Sequence, residues 1–431
     1  MSHLRKRKAI LLTIIAITAF APLLCVEVFE SPAPAAAKVL AKTGSLVGTV
    51  LLLWQVLLGF RGFAAVIVPD VIWMIEVHKK LGIYGACLIL LHPIFITIYY
   101  FQMYEQNIWA FNLSESFDVF VLLGLGALLV LGLVVVTSVF MRKRLGYRRW
   151  YTFHLSSYLI LPLVFVHSLP IGQTVGQTSL YYVWWGLAAI TIGLFTFRLV
   201  GRLGWMYEPY EVCRVDRLGP DVVEVGLKPL KRGIDPRVGQ FIYIRHGLRG
   251  TVHPYTISHF SPQSGSLHIT IKALGPGSSR MQHITPGARI LVDGPYGVFG
   301  QEALRTDRPV IMVAGGIGIT SFIRLIEHLE QDRDREALLL YGNVTPGDIV
   351  YADELDALKH VKVVHVISGD NSYEGETGLI TSDLMKKHAG RPLGDYIFLI
   401  CGPAAMIHMI TTQLAELGVN SRQIYHELFE W

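Results

Sequence analysis

Six long apolar runs in the first 200 residues constrain the fold most, because about twenty apolar residues suit an α-helix that crosses a bilayer. Beyond Val200 the composition is that of an ordinary soluble protein, so the chain divides into a membrane half and a soluble half. We predict a six-helix transmembrane bundle over residues 1–205, and two further domains in the rest of the 431-residue chain. The spans are expected at approximately residues 9–28, 42–60, 78–100, 118–140, 150–169 and 180–200.

The first run has an alternative interpretation as a secretory signal. It follows a short basic segment, and the alanines at 35–37 are small enough for cleavage. A run of about twenty residues is longer than a usual signal core, however, so a spanning helix is favoured.

The positions of lysine and arginine predict how the bundle is oriented. The loops on one side are basic. In the opposite loops the only lysine or arginine is Lys38, and Lys42 stands at the edge of the first of these loops. The positive-inside rule then places the N-terminus and the soluble half in the cytoplasm, below the plasma (inner) membrane. The net charge of +5 comes largely from these membrane-flanking residues, so no nucleic-acid partner is predicted. The basic segments are residues 4–8, 61, 79–80, 142–149 and 198–202.

Four histidines stand in this apolar sequence, where an ionisable side chain is costly and usually functional. His78 and His92 are fourteen residues apart and His154 and His167 are thirteen apart, which on helices corresponds to rises of about 21 Å and about 19.5 Å. We predict that two facing helices hold two haem irons. His78 and His154 would form the inner pair, and His92 and His167 the outer pair.

The angular spacing agrees less well for the second helix. At about 100° per residue, His78 and His92 differ by about 40° and share a face, whereas His154 and His167 differ by about 140°. Pro162 lies between the second two, and a proline can bend or rewind a helix. The alternative is that these are isolated core or helix-end histidines.

The soluble half changes its pattern near residue 305. Residues 206–304 contain short strand-like runs at 211–227, 240–245, 266–272 and 289–292, which predict a small antiparallel β-barrel. Residues 305–431 alternate strands (310–314, 337–341, 396–400) with a helix at 321–331, as in a parallel α/β sheet.

Two segments of the second pattern suit a nucleotide. Gly315, Gly316, Gly318 and Thr320 stand at a strand-to-helix junction, where free N–H groups can bind phosphate. The run of Cys401, Gly402 and Pro403 follows another strand, and ligands bind at the carboxyl ends of parallel strands. The two segments are expected to line one crevice, although glycines also serve tight turns.

Four motifs in order resemble the ferredoxin–NADP reductase superfamily. They are His253-Pro254-Tyr255-Thr256-Ile257-Ser258, Asp293-Gly294-Pro295-Tyr296-Gly297, Gly315-Gly316-Ile317-Gly318-Ile319-Thr320 and Cys401-Gly402-Pro403. With the six spans and paired histidines, the chain is similar to the membrane branch of that superfamily, the NADPH oxidase and ferric reductase family. The resemblance implies a six-helix transmembrane bundle followed by an antiparallel β-barrel FAD domain and an α/β parallel-sheet NAD(P)H domain.

The resemblance assigns flavin-binding residues to the barrel. His253, Pro254, Tyr255, Thr256, Ile257 and Ser258 would hold FAD and its pyrophosphate. A second phosphate-contacting stretch would comprise Lys272, Gly277, Ser278 and Ser279, although its Gly-Pro-Gly sequence departs from the family pattern.

The resemblance also assigns the nicotinamide site to Gly315, Gly316, Gly318, Thr320, Gly402 and Pro403, with Cys401 near the nicotinamide. NADPH-selective relatives often carry an arginine at or near Val344, so its absence favours NADH or dual use. At the C-terminus, Glu427 and Phe429 match the family's glutamate and flavin-stacking ring, and Trp431 is a rival for the stacking role.

The resemblance implies a transmembrane oxidoreductase that passes electrons from NAD(P)H through FAD and two b-type haems to oxygen, yielding superoxide. The alternative acceptor is ferric chelate, which the mildly acidic outer loops with Glu105, Glu115 and Asp118 slightly favour. A different class, a metal-ion membrane transporter or binding protein with a regulatory nucleotide domain, is also considered. No regulatory domain or obligatory partner subunit is expected, and the four scattered cysteines predict neither disulfides nor a zinc site.

Overall fold

The computed structural model describes residues 3–247 and 252–428. The chain forms two compact units, Met1–Val200 and Gly201–Trp431. Each unit has its own hydrophobic core and is described by itself.

The described residues of the first unit, 3–200, contain six helices that are long and apolar enough to span a membrane, which confirms the predicted number. The third and fifth spans are longer than predicted, so His78 and His154 lie inside their helices rather than at the start. The spans are Leu4–Cys25, Pro32–Leu58, Val71–Tyr104, Ser116–Phe140, Arg142–Ile171 and Leu180–Gly201. The α-helices of the unit are His3–Phe20, Pro32–Lys42, Gly48–Leu58, Arg61–Ile67, Val71–Ile89, Leu91–Tyr104, Ser116–Val135, Arg142–Leu155, Ile160–Ile171, Gln173–Gln177 and Leu180–Arg202.

The fifth span is rewound between its two histidines. A 3₁₀ turn, Ser156–Leu159, separates Arg142–Leu155 from Ile160–Ile171. Pro162 follows this turn and lacks the N–H that would continue the hydrogen-bond ladder. Four residues at about 120° instead of about 100° add about 80°, which reduces the offset between the two histidines from about 140° to about 60°. The turn therefore brings the second pair of histidines towards one face.

The second unit begins with a closed six-stranded antiparallel barrel of strand order β1-β2-β5-β4-β3-β6. Its interior is filled by alternate residues of the strands, such as Val223, Val225 and Leu227 of β2. One short helix, Pro276–Met281, joins β5 to β6. The strands are β1 Glu208–Arg217, β2 Val222–Pro229, β3 Phe241–Arg245, β4 Val252–Phe260, β5 Leu267–Lys272 and β6 Arg289–Tyr296.

A parallel sheet of strand order β10-β9-β8-β7-β11-β12 completes the unit. The chain runs outward from β7 to β10 and then returns to the other side of β7, so the topological switch point lies between β7 and β11. The predicted barrel and parallel sheet are thus confirmed. The strands are β7 Val310–Gly315, β8 Ala337–Asn343, β9 Lys362–Ile367, β10 Glu376–Thr377, β11 Ile397–Gly402 and β12 Ile424–Leu428, and the α-helices are Ile323–Gln331, Ala352–Asp356, Ser382–His388 and Ala404–Glu416.

Two local predictions differ from the structure. The predicted helix at 321–331 is a 3₁₀ turn, Gly316–Ser321, followed by a shorter α-helix from Ile323. The strand predicted to end at 400 continues through Gly402, because Cys401 and Gly402 pair with Glu427 and Leu428 of β12. Both differences lie at the switch point, at the carboxyl ends of β7 and β11.

Candidate functional site

The four histidines of the first unit form two ring pairs. The centroids of the His78 and His154 rings are 6.1 Å apart, and those of His92 and His167 are 6.2 Å apart. The structure thus brings together the inner pair and the outer pair that the sequence predicts, each with one ring from the third span and one from the fifth.

Every one of these rings has its Nδ1 atom engaged. Backbone carbonyl oxygens lie near three of them: Gln55 O is 2.8 Å from His78, Ala41 O is 3.3 Å from His92, and Phe120 O is 2.7 Å from His167. Because a carbonyl can only accept, those three Nδ1 atoms carry the proton and donate. The tautomer leaves each Nε2 with a free lone pair, which is the form that binds a metal.

The fourth ring has a side-chain partner. Ser138 Oγ lies 3.2 Å from His154 Nδ1 and accepts a hydrogen bond from Trp150 Nε1 at 3.1 Å. The Trp150 ring also packs on the His154 ring at 5.1 Å between centroids. These contacts hold the imidazole in one orientation.

The ring spacing fits one metal ion between each pair. Two imidazole nitrogens on opposite sides of an iron at about 2.0 Å each are about 4 Å apart, and the half-rings bring the centroid spacing to about 6 Å. The rings of each pair also meet edge to face, at interplanar angles of 63° and 73°. Each pair thus offers two imidazoles to one metal ion.

A large apolar cavity adjoins the outer pair. His92 and His167 stand in its wall with Lys42, Tyr100 and Trp184. Both rings of the outer pair thus border one apolar cavity.

Glycine makes room for the outer pair. A Cβ on Gly124 would lie 2.6 Å from Nδ1 of His167, and a Cβ on Gly44 would lie 2.6 Å from the backbone nitrogen of His92. At both positions any larger residue would displace the histidine or its helix.

In the second unit, the predicted flavin motif lies on strand β4 and presents buried polar atoms. The Tyr255 hydroxyl and Thr256 Oγ1 are buried, and neither has a hydrogen-bond partner among the described residues. Burial raises the pKa of the Tyr255 hydroxyl to about 12, so it stays protonated as a donor. Two hydroxyls in this state fit a bound polar group such as a flavin.

The other flavin-motif residues have different surroundings. Ile257 packs in the barrel core, Pro254 pairs with Tyr243 of β3, and the buried Ser258 donates to Glu224 Oε1 at 3.3 Å. The side chains of Ile257 and Ser258 are therefore engaged in contacts within the protein, and this part of the motif stabilises the barrel.

His253 lies against the short helix that follows β5. A Cβ on Gly277 would overlap the His253 ring, so glycine is required for this close approach. Burial, followed by the nearby Arg280 charge, lowers the pKa of His253. The neutral His253 imidazole thus lies directly against the backbone of Gly277.

The remaining residues of the second phosphate stretch are partly occupied. Ser278 Oγ accepts from the backbone N–H groups of Leu274 and Gly275 at 3.0 Å each, which caps the short helix. The Lys272 ammonium lies 3.6 Å from Asp221. Ser279 contributes its backbone N–H to the first turn of the same helix.

At the switch point, β7 and β11 lie side by side and their glycines are in close contact. A Cβ on Gly318 would overlap the carbonyl oxygen of Cys401, and one on Gly402 would lie 3.0 Å from the Gly315 backbone. Pro403 would be 2.8 Å from a Cβ on Gly315. The structure therefore brings together the two segments predicted to line one crevice.

Two further residues complete this loop. Gly316 has φ of +52°, which a residue with a side chain rarely adopts. The Thr320 hydroxyl donates to the Ile317 carbonyl at 3.0 Å and is buried. Thr320 thus fixes the 3₁₀ turn.

Cys401 is fully buried, with its Sγ 3.5 Å from Ser321 Oγ. Burial and the neighbouring Glu427 raise the pKa of the thiol well above its usual value. The group is a neutral thiol. Glu427 is itself buried opposite Cys401 on β12, whereas Phe429 and Trp431 lie outside the described residues.

Sequence reasoning did not identify the partners of these residues. Gln55, Ala41 and Phe120 act through backbone carbonyls, which carry no sequence signal. Ser138 and Ser321 are single serines without a motif.

Two family models match the chain. The ferric reductase like transmembrane component covers residues 44–165, and the oxidoreductase NAD-binding domain covers residues 312–412. The first match contains three of the four paired histidines, His78, His92 and His154. The second match contains the residues on both sides of the crevice at the switch point.

Curated relatives match part of the chain. NADH-cytochrome b5 reductase 2 of Scheffersomyces stipitis is 29% identical over 197 residues, which are 40% of this chain and 66% of that protein. The xylene/toluene monooxygenase electron transfer component XylA of Pseudomonas putida is 26% identical over 231 residues, 51% of this chain and 64% of that protein. NADH-cytochrome b5 reductase 1 of Dictyostelium discoideum is 30% identical over 201 residues, 44% of this chain and 69% of that protein. The chain spans about two thirds of the length of these relatives.

Solved structures also resemble part of the chain. The ferredoxin reductase in carbazole 1,9a-dioxygenase is 25% identical with a TM-score of 0.47, over 52% of this chain and 69% of that one. A ferredoxin NADP+ reductase from Neisseria gonorrhoeae, with bound FAD and NADP, is 20% identical with a TM-score of 0.46, over 52% of this chain and 99% of that one.

The family resemblance inferred from the sequence is confirmed by the matches to both halves. The chain is an oxidoreductase of the NADPH oxidase and ferric reductase family, in which a ferric reductase-like transmembrane component precedes an FAD- and NAD-binding module of the ferredoxin reductase type.

Proposed function

We propose that the protein carries electrons from cytoplasmic NAD(P)H, with FAD and two b-type haems, to an acceptor on the other side of the membrane. The observation that supports this proposal is the presence of two histidine pairs, with ring centroids 6.1 and 6.2 Å apart. The Nδ1 atom of each of the four rings has a hydrogen-bond partner. A haem supplies single-electron relay, and a flavin links it to the two-electron chemistry of a nicotinamide.

The residues of the chain would divide the work by position. His78 and His154 would ligate the inner haem, and His92 and His167 the outer haem. Held by these imidazoles, the two haems would supply single-electron transfer between the flavin and the external acceptor.

The soluble unit would hold the flavin and the nicotinamide. Tyr255 and Thr256 offer buried hydroxyls to the flavin, and the Gly315–Gly318 backbone offers N–H groups to the dinucleotide. The buried, neutral Cys401 thiol would lie beside the nicotinamide without adding a charge near the transferring hydride.

The orientation is proposed from the basic loops. Excess lysine and arginine at residues 4–8, 79–80 and 142–149 would put the inner pair and the soluble unit on the cytoplasmic side. The outer pair, His92 and His167, would then lie on the side of the membrane where the acceptor is reduced.

Oxygen, yielding superoxide, is proposed as the acceptor. Lys42 lines the cavity that contains the outer pair, so one cation stands where an anionic product would form. Lys38 is less available, because its ammonium is paired with Glu30 at 2.6 Å, and Glu30 also accepts from Tyr99 at 3.1 Å. Ferric chelate is the second candidate, and the exposed Glu105 and Glu115 favour it.

Acceptor identification tests the proposal directly. NADH-driven activity of purified protein would be assayed with a superoxide dismutase-sensitive dye and with an iron chelate side by side. We expect the dismutase-sensitive signal to account for most of the electrons. Anaerobic iron reduction with no superoxide would establish the second candidate, and activity towards neither would overturn the proposal.

NADH is proposed as the preferred donor. Val344 directly follows β8 and its side chain is 61% exposed. Because this position holds valine and not arginine, it offers no positive charge to the 2′-phosphate of NADPH. The relatives named above as NADH-cytochrome b5 reductases point the same way.

Replacing Val344 by arginine should raise the kcat/KM ratio of NADPH to NADH about tenfold or more, since a hydrogen bond to a charged group contributes about 1.5–3 kcal/mol. The ratio would be measured by flavin reduction with each nucleotide. Val344→Gln is the matched control with a long neutral side chain and should leave the ratio unchanged. A wild-type enzyme that already prefers NADPH would contradict the assignment.

Replacing Thr256 by valine should weaken FAD binding about 2- to 13-fold, because the complex loses a neutral hydrogen bond of about 0.5–1.5 kcal/mol between this hydroxyl and the flavin. The apoprotein should become no less stable, since its unpartnered buried hydroxyl is removed. Flavin titration of apoprotein checks the first effect and thermal unfolding the second. Thr256→Ser retains the hydroxyl and should bind FAD like wild type; equal affinity of all three proteins would remove Thr256 from the site.

A further inference from the structure

A cluster of two histidines and one glutamate lies on the outer face of the barrel. Glu224 is on β2, His259 on β4 and His268 on β5, and these strands are neighbours. The residues that flank Glu224 and His268 in sequence point into the barrel: Val223, Val225, Leu267 and Ile269 are all fully buried in its core. Because side chains alternate along a strand, Glu224 and His268 point outward.

His259 reaches the same face through an irregularity in β4. The register between β4 and β5 shifts between Ile257 and His259. Without that bulge, His259 would share the inward face of Ile257, which is buried in the core. A bulge that turns one side chain towards others is a common device at functional sites.

The atoms of the cluster lie at distances that suit a metal ion. Nδ1 of His259 is 3.4 Å from Oε1 of Glu224, and Nδ1 of His268 is 3.1 Å from Oε2. One ligand atom from each of the three residues lies within 4.8 Å of the other two. Two ligands of tetrahedral zinc, each about 2.0–2.1 Å from the ion, are separated by about 3.3–3.4 Å.

The outer contacts of the cluster match those of a metal-binding histidine and carboxylate. Nε2 of His259 lies 3.3 Å from Glu354, which leaves Nδ1 as the atom that faces Glu224. That Nδ1 atom is buried and has no hydrogen-bond partner in the described ranges 3–247 and 252–428. Ligating histidines typically donate their other nitrogen to a carboxylate in this way.

The second unit has two lobes, the barrel of strands β1–β6 and the parallel sheet of strands β7–β12 with its helices. Tyr351 of the parallel-sheet lobe holds the Glu224 carboxylate of the barrel lobe in place. Its hydroxyl donates to Glu224 Oε1 at 2.7 Å and also contacts the Thr270 hydroxyl. Tyr351 adopts φ of +63°, a strained conformation for a residue with a large side chain. Such strain persists where surrounding contacts determine the position, and here it places the hydroxyl on Glu224.

We propose that Glu224, His259 and His268 form a site for a Zn²⁺-like divalent ion, with Glu354 and Tyr351 orienting its ligands from the nucleotide-binding lobe. Two imidazoles and a carboxylate suit zinc, whereas Mg²⁺ and Ca²⁺ require mainly oxygen ligands. The three ligands belong to the barrel and their supporting groups to the parallel-sheet lobe. A bound ion therefore fastens the two lobes of the reductase module, which is separate from the electron route proposed above.

Zinc binding by the full-length, haem- and flavin-loaded protein tests the site. After chelator treatment, the protein would be titrated with ZnCl₂ alone by calorimetry, and bound zinc would be counted. We expect one more equivalent of zinc in wild type than in His268→Gln. His408→Ala removes an exposed histidine of helix Ala404–Glu416 and should bind like wild type.

A second variant keeps all three ligands and removes only the supporting carboxylate. Glu354→Gln should bind the same number of zinc ions with about 10–100-fold lower affinity, because it loses the group that orients His259. Haem and flavin contents equal to wild type show that each variant is folded. Equal zinc stoichiometry and affinity in wild type, His268→Gln and Glu354→Gln would overturn the proposal and show that the cluster is only a hydrogen-bonded contact between lobes.

Discussion

His92→Ala is expected to lower the haem content from two to one per chain and to reduce electron delivery to the external acceptor to background. His92 would supply one of the two axial nitrogens of the outer haem, and its ring lies 6.2 Å from that of His167. Reduction of the flavin by NADH should remain at the wild-type rate, because that step belongs to the separate soluble unit. Haem quantification and stopped-flow flavin bleaching would measure the two effects.

A matched pair of glycine variants controls for damage to the bundle. Gly124 and Gly126 lie on the same helix, Ser116–Val135, but a Cβ on Gly124 would be 2.6 Å from Nδ1 of His167, whereas one on Gly126 would meet no described atom within 4 Å. Gly124→Ala should therefore lose outer haem, and Gly126→Ala should retain both. Two haems in His92→Ala would contradict the ligand assignment.

Gly318→Ala is expected to lower kcat/KM for NADH-dependent flavin reduction by about 100-fold, the effect of moving a reactant by about 1 Å. The added Cβ would overlap the carbonyl oxygen of Cys401 and lie 2.8 Å from its carbonyl carbon. Backbone atoms of a buried strand cannot move aside cheaply, so the two walls of the crevice would separate. Stopped-flow reduction by NADH measures the loss.

Gly394→Ala is the matched control in the same lobe, since a Cβ there would meet nothing within 4 Å in the described part of the chain. In both variants, dithionite should still reduce the haems and the flavin content should equal that of wild type. Wild-type NADH kinetics in Gly318→Ala would exclude this crevice as the nucleotide site.

Periodicity and composition predicted much of the architecture. Runs of about twenty apolar residues produced the six spans, and the change from short alternating strands to buried strands with helices separated the barrel from the parallel sheet. Both signals arise from burial, which acts on every residue of an element. The four histidines were conspicuous for the same reason, as polar residues in apolar sequence.

The geometry of the sites was less predictable, because it depends on contacts between distant segments. The Nδ1 partner of His92 is the backbone oxygen of Ala41, 51 residues away, and any residue could supply that atom. The 3₁₀ turn before Pro162 and the bulge before His259 each reorient a histidine, yet both depend on local hydrogen bonding that hydrophobic periodicity does not report. The cluster around Glu224 was missed for this reason.

Haem stoichiometry under nicotinamide reduction tests the central claim most directly. Purified wild-type protein would be analysed for haem b per chain and then reduced anaerobically with NADH while the reduced-minus-oxidised spectrum is recorded. The two histidine pairs predict two haems b per chain, both of which are reduced by NADH. Purified protein that shows no b-type bands, or b-type haems that NADH cannot reduce, would contradict the account.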